Sequence, residues 1–567
     1  MSKKILSAVA LAVMVTALGW GMRGDAKPGL RRLLPDAGTP AAVHSMAKAD
    51  TAPGAGRWSI QYHGTCCEGN IAAQGASTYV LLPVLVNGNK IIRSNDEGKT
   101  WTQQYPPVDA SVPFGIEGDM QAYGDDVIFF GTEVAAAMVA HSDDRGDSWT
   151  VVQVPVASAG NDQAWSYLAP IADLCPVPSP TNEPYMLGGW FRIGTEAIFS
   201  CDGGLTWPIH APLMVGDDGS GPRHPICEQL ASAPQDQGDT RVADSNFASI
   251  KAGRHGAFGT DRRFYWTMPL AGQLYVCRTG DFGRTWEGTV HPIADGPGSG
   301  FVVSHAAFDQ NGTLYVLHGD FIYVSFDQGH RFRYTHELPR YGNAMRTDSG
   351  SDQFFAVQGG KIHIGLIESY GDNNAGRIWY LAGRDLDSAT PRWHAEPVDI
   401  TDFDRLDFMQ IAVTGNGTPT LSYTTPVPAG DATAVREVTT ASLQTRAPYA
   451  GLAITPDNGA APLDVELDAS SSSDLDAEAL SYAFDFGDGS AAVMQTGAKA
   501  QHSYGKAGSY TASVTVRNPK GESSSAQATV TIAGAKAAAS PAKFGGAMPL
   551  FGLLGLAVAA ALRRRRR

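Results

Sequence analysis

One eight-residue pattern, met five times in under 250 residues, constrains this chain more than any other feature. Ser94-Asn95-Asp96-Glu97-Gly98-Lys99-Thr100-Trp101 is echoed at 142–149, 200–207, 279–286 and, with Phe for Trp, at 325–332. Each copy follows a short β-like run such as Lys90-Ile91-Ile92-Arg93 or Phe321-Ile322-Tyr323-Val324. The composition of the motif is that of a tight hairpin. Asp accepts hydrogen bonds from backbone N–H groups further along, Gly supplies a φ > 0 position, and the closing Trp starts the next strand and packs over the turn. Such a unit staples two neighbouring antiparallel strands, and its repetition sets the architecture.

The stretches between copies share a grammar: a short inner strand, a Gly-rich turn, a second strand, a variable loop, a third strand, the motif, a fourth strand. The inner strands open at Glu68-Gly69-Asn70, Glu117-Gly118-Asp119, Asp162-Gln163-Ala164, Asp244-Ser245-Asn246 and Val303-Ser304-His305. Two further modules, opening at Gly350-Ser351-Asp352 and Asp407-Phe408-Met409, lack the motif. Seven modules of roughly 55 residues have the size of four-stranded blades, and a ring of such blades protects their edges.

The motif resembles the Asp box of the sialidase and BNR-repeat families, where it joins the third and fourth strands of a β-propeller blade. That resemblance implies an all-β propeller, which the count of seven modules makes seven-bladed over 57–446. Six blades is the alternative, if the last module only completes the first. It also implies a structural role for Asp96, Asp144, Asp202, Asp281 and Asp327, because in those families the box sits on the outer rim, away from ligand.

Composition bounds the rest. The 567 residues include 64 Gly and only 18% charged side chains, which suits turn-rich β structure, and the formal net charge of −14 leaves no basic stripe for nucleic acid outside the two termini. Residues 1–26 read as an export signal, with Lys3 and Lys4 before an apolar run, and 27–56 as a linker rich in Ala, Pro and Gly. An uncleaved N-terminal anchor is the alternative. In an exported protein the six cysteines can pair, and chain position favours Cys175 with Cys201 and Cys227 with Cys277.

At residue 447 the composition changes. Phe484-Asp485-Phe486-Gly487-Asp488-Gly489, His502-Ser503-Tyr504 and the alternating run Gly508 to Val516 resemble a PKD domain, which implies a small Ig-like β-sandwich over 447–533 acting as a spacer or adhesion module. Asp485 and Asp488 raise the question of calcium, but a turn fixed by Asp and Gly is the simpler reading, and no cofactor is expected. A linker over 534–546 leads to an apolar run and five arginines within 547–567. This tail resembles bacterial GlyGly-type C-terminal sorting signals, implying membrane contact and a sorting protease; a plain tail anchor is the alternative.

Candidate site residues follow from blade geometry. Residues ahead of each inner strand and in second-to-third-strand loops converge on the end opposite the boxes. Glu117, Asp162, Trp190, His305 and Asp352 are the ligand-binding candidates, since carboxylates accept from sugar hydroxyls and aromatic faces stack on sugar rings. The resemblance adds a sialidase-like exo-glycosidase reading, which needs an arginine clamp on a carboxylate, a tyrosine nucleophile with a glutamate, and an acidic acid/base. Arg192, Arg346 and Arg405, Tyr370 with Glu368, and Asp119 are the residues available. Phe191-Arg192-Ile193-Gly194 departs from the family motif in position and in its Gly. The sequence therefore supports an exported, envelope-associated glycan binder first, an exo-α-sialidase-like glycoside hydrolase second, and a protein-interaction scaffold third.

Overall fold

The computed structural model describes residues 57–65, 70–82, 90–104, 117–133, 136–154, 164–169, 186–191, 196–212, 256–270, 273–280, 287–293, 304–339, 345–346, 355–370, 375–403, 407–425 and 437–534. All regular structure among them is β. The expected export signal, both linkers (Gly534 apart) and the C-terminal tail lie outside the described residues.

Seven sheets precede residue 446 among the described residues. Each runs antiparallel in chain order, as in Ile71–Gln74, Ser77–Leu82, Lys90–Ser94 and Thr102–Gln104 for the first. The sixth has a divided first strand, Met345–Arg346 and Phe355–Gln358, both paired with Lys361–Tyr370. The seventh takes its fourth strand from the other end of the chain: Trp58–Thr65 pairs with Glu437–Leu443. The first strand of each sheet lies against that of the next, and that of the seventh, Asp407–Val413, lies against Ile71–Gln74 of the first. The first described strand of the fourth sheet is Gly256–Phe258, and the opening predicted at 244–248 lies outside the described residues.

The second and third strands are buried on both faces, as in Ser77–Leu82, Leu314–His318 and Phe321–Ser325, while a fourth strand such as Glu287–Pro292 is largely exposed. Successive sheets pack face to face through clusters such as Tyr79, Leu81, Met120 and Phe129, or Tyr265, Val276, Val316 and Tyr323.

Residues 453–533 form a two-sheet sandwich, with strands Ala453–Thr455, Leu463–Asp468 and Lys499–Tyr504 in one sheet and the long strands Gly508–Arg517 and Ser523–Ala533 in the other. Ala512, Val514 and Val516 are buried and Tyr510 is half-buried, as the alternation predicted.

Candidate functional site

The two ends of the seven sheets differ in chemistry, and the boxes define one end. In each described box the first Ser hydroxyl donates to the Asp carboxylate, at 2.8 Å from Ser94 to Asp96, Ser142 to Asp144 and Ser200 to Asp202, and 2.9 Å from Ser325 to Asp327. The same carboxylate accepts the backbone N–H four residues on, at Thr100, Ser148, Thr206 and Arg331. Hydroxyls at Thr100, Ser148 and Thr206 donate to its other oxygen. Ser148 and the neighbouring donors hold Asp144 down to about 2. Burial raises Asp96, but the bonds from Thr100 and Ser94 outweigh it and leave it below the usual range. Asp281 lies outside the described residues.

Three of the boxes also latch their sheet to the one before it. The residue between Asp and Gly is left-handed, with φ 60° at Glu97, 62° at Arg145 and 61° at Gln328. Its carbonyl accepts a side chain from the preceding sheet: Arg93 donates to Arg145 O at 2.7 Å, Arg278 to Gln328 O at 3.0 Å, and Gln444 to Glu97 O at 3.0 Å. Arg93 and Arg278 each stand immediately before a box Ser or Thr, so a basic residue at that place is the sequence signal that would have found the latch.

Away from the box turns, buried polar side chains stitch the first strands together, and here two expected site residues change role. Asp119 was expected as an acid/base. It is fully buried, and its carboxylate accepts the Ser166 N–H at 3.0 Å and hydroxyl at 3.2 Å from the next sheet, besides the Met120 N–H at 2.9 Å. Engaged this way, it clamps two strands and faces no solvent. His305, expected to bind ligand, is also buried, with its ring edge-on to Phe355 at 6.3 Å. Gln410 makes the matching stitch from the seventh sheet to the first, accepting the Ile71 N–H at 3.0 Å and donating to Asn70 at 2.7 Å. Polar residues at strand openings read alike whether they meet ligand or the neighbouring strand, which is why sequence did not separate the roles. A cavity of ≈ 150 Å³ lies among these strands, lined by Ala72, Ala73, Met120, Gln121, Ala356 and Gln358 and their neighbours.

The other end gathers several of the remaining candidates at the backbone level. Arg346 is in a strand rather than a loop, opposite Ile367, with Met345 opposite Glu368; Tyr370 closes the same strand, opposite Ala375. Glu117 opens its strand, and Trp190 stands near the end of Met186–Phe191. All five positions lie at strand ends remote from the box turns. Arg192, Arg405, Asp162 and Asp352 lie outside the described residues.

A second polar cluster was not anticipated at all. Between the sixth sheet and the sandwich, Arg57 donates to Glu396 at 2.6 Å and to the carbonyls of Ala447 and Pro448 at 2.9 Å each. His394 Nε2 is 3.6 Å from Glu396, and its Nδ1 is 3.0 Å from Ser473 Oγ. Serine, histidine and carboxylate in series invite comparison with a hydrolytic triad, but the ring is reversed relative to one, His394 and Glu396 are wholly buried, and the Ser473 hydroxyl donates to Ala395 O at 2.8 Å. No substrate reaches it. Burial raises the Glu396 carboxyl, yet His394 and Arg57 outweigh that and hold it below its ordinary value.

Among the described residues no group of three or more His, Cys, Asp or Glu side chains is placed to hold a metal ion. Asp485 and Asp488 cap their own turn: Gly487 N–H donates to the first at 2.9 Å, and Ser490 N–H and hydroxyl to the second at 3.0 and 2.6 Å. Cys201 is disulfide-bonded, whereas Cys277 carries a buried thiol, so the expected pairing of Cys227 with Cys277 does not form.

Residues 445–533 match the PKD domain family, and with their two-sheet topology they are a PKD domain. No curated protein matches the chain. Among solved structures, the PKD1 domain of Vibrio anguillarum Epp is 32% identical over 16% of this chain and 96% of that one, with a TM-score of 0.14. A carbohydrate-binding module of the β-sandwich superfamily is 30% identical over 16% of this chain, which spans only 36% of that protein, with a TM-score of 0.15. The NanB sialidase of Streptococcus pneumoniae is 10% identical over 68% of this chain and 70% of that one, with a TM-score of 0.34. At these scores none of them bears on the arrangement of the sheets, which rests on the strand pairing described above.

Proposed function

We propose that residues 57–446 form a seven-bladed β-propeller that binds glycans or glycoconjugates at the end opposite its Asp boxes, in an exported protein of the cell envelope or surface. The observation that carries this reading is the succession of seven sheets whose first strands neighbour one another in chain order, the seventh meeting the first and completed by Trp58–Thr65. Box turns and the PKD domain occupy one end, so the other is the end available to a ligand, and Glu117 and Trp190 are positioned there. The export signal and the sorting tail with its protease belong to the same proposal, on the strength of their sequence pattern.

Sialidase-like hydrolysis is the second reading, favoured by one observation: Glu368 and Tyr370, a carboxylate and a tyrosine, stand two positions apart in one strand of the sixth sheet, whereas Arg346, paired with Ile367, is out of phase with them. The two readings separate in one experiment on the purified protein, a glycan array paired with a fluorogenic sialoside. Retention of glycans without turnover, lost in Trp190→Ala, is the expected result. Turnover abolished by Tyr370→Phe would transfer the assignment to the hydrolase, and the absence of both binding and turnover would leave an interaction scaffold.

A further inference from the structure

The PKD domain is docked on the box end of the sixth sheet, which is one of the two sheets that carry no box. Its turn from Asp474 to Glu478 makes the contact. Asp474 builds that turn, accepting the Asp476 N–H at 2.9 Å and a bond from Asn518 at 3.0 Å. Leu475 is buried in the same apolar cluster as Trp58, Tyr380 and Leu386. Asp476 pairs with Lys361, lies 3.6 Å from Arg384, and through its backbone carbonyl accepts from Arg384 at 2.9 Å. Arg392 donates to Ala477 O at 2.9 Å. Lys361 opens the second strand, Arg384 ends the third and Arg392 opens the fourth, so the turn caps the end of the sheet at which its own 385–391 segment joins the third and fourth strands.

The dock continues into the seam between the sixth and seventh sheets. Arg57 directly precedes the closing strand Trp58–Thr65, and its guanidinium joins Glu396 of the sixth sheet to the carbonyls of 447 and 448, where the PKD domain begins. Tyr449, whose ring lies 6.0 Å from that guanidinium, exchanges backbone bonds with Ser473. Trp58 meets Tyr380 of the sixth sheet edge-on at 5.4 Å. A carboxylate and a guanidinium removed from water stay favourable only while every partner is in place.

We propose that the PKD domain is a clasp rather than a tethered spacer: docked through its 474–478 turn on the sixth sheet and through Arg57 on the seam with the seventh, it holds those two sheets together and so keeps the closing strand Trp58–Thr65 in register. This does not depend on what the opposite end binds. Hydrogen exchange on the full chain tests it, comparing wild type with Asp476→Ala and with Leu475→Ala/Asp476→Ala. The Ala395 amide, which donates to Ser473 Oγ at 3.2 Å, reports docking. The amides of Gly508–Arg517 report the fold of the sandwich, and those of Ser77–Leu82 the fold of a sheet remote from the dock. The expected result is at least about tenfold faster exchange at Ala395 and throughout Trp58–Thr65, with the other two segments unchanged. Faster exchange at Ala395 with Trp58–Thr65 as in wild type would overturn the clasp and leave a passenger domain. Protection retained at Ala395 in both variants would equally overturn it, because the turn would then not be the dock. Loss of protection in all segments of the double variant moves the decision to Asp476→Ala, which leaves the apolar contact intact.

Discussion

The box turns and the seam between the sixth and seventh sheets hold neighbouring sheets by different physics. At three of the boxes a left-handed carbonyl accepts one side chain from the preceding sheet, and the turn that presents it is built from its own residues; the turn of the box-less sixth sheet is met in a like way, by His336 of the fifth sheet at Leu386 O, 2.9 Å away. Between the sixth and seventh sheets the hold is instead a buried ion pair, Arg57 with Glu396, over which the second domain closes. A local latch is tolerant because each turn is stable by itself. A buried, long-range latch is all-or-none, since removing one member strands a charge.

The sharpest way to break the comparison is Arg57→Ala. It leaves the Glu396 carboxylate buried without its guanidinium, and the expected cost is about 3–5 kcal/mol in urea denaturation. Replacing both partners, as Arg57→Met with Glu396→Leu, is expected to restore most of that loss, which a merely additive contact would not do.

Gly98→Ala tests a local latch. Gly98 has φ 80°, and a Cβ there would lie 1.9 Å from Ser442 Oγ of the seventh sheet, so both backbone strain and the close approach oppose the substitution. About 2–3 kcal/mol is expected by the same denaturation measurement, against about 1–2 for Gly75→Ala, where φ is also positive but the space is open. The difference between the two measures the latch apart from the strain.

Asp144→Ala removes one box carboxylate and should cost about 1–2 kcal/mol, with the other sheets unaffected. The smallest effect is with pH. Asp144 is depressed to about 2 in the folded chain, so the stability it contributes is complete above its unfolded value of about 4 and is lost as pH falls toward 2. Thermal unfolding between pH 5 and 2 should fall less steeply in Asp144→Asn than in wild type.

Much of this architecture was legible along the chain. The strands flanking each described box, the turn chemistry of Asp96, Asp144, Asp202 and Asp327, and the alternation of Ala512, Val514 and Val516 are local properties, determined within a few residues. The candidate site was far less legible. Asp119 and Glu117 stand two positions apart at one strand opening, yet Asp119 reaches the backbone of Ser166 in the next sheet, a contact that no spacing within its own module encodes. Arg57 sits at the edge of what composition marked as linker, and only its arrival beside Glu396 shows why a charged residue precedes the closing strand.

By itself, then, the sequence determined the unit: a four-stranded sheet whose third and fourth strands are joined by an Asp-box turn, since hydrogen bonds four residues apart and a glycine at φ > 0 need no distant partner. The tertiary structure alone decided which polar side chains became stitches and which end of the sheets received the second domain. Those outcomes depend on pairs brought together across whole modules, such as Asp119 with Ser166 and Arg57 with Glu396, and on where a separate domain came to rest.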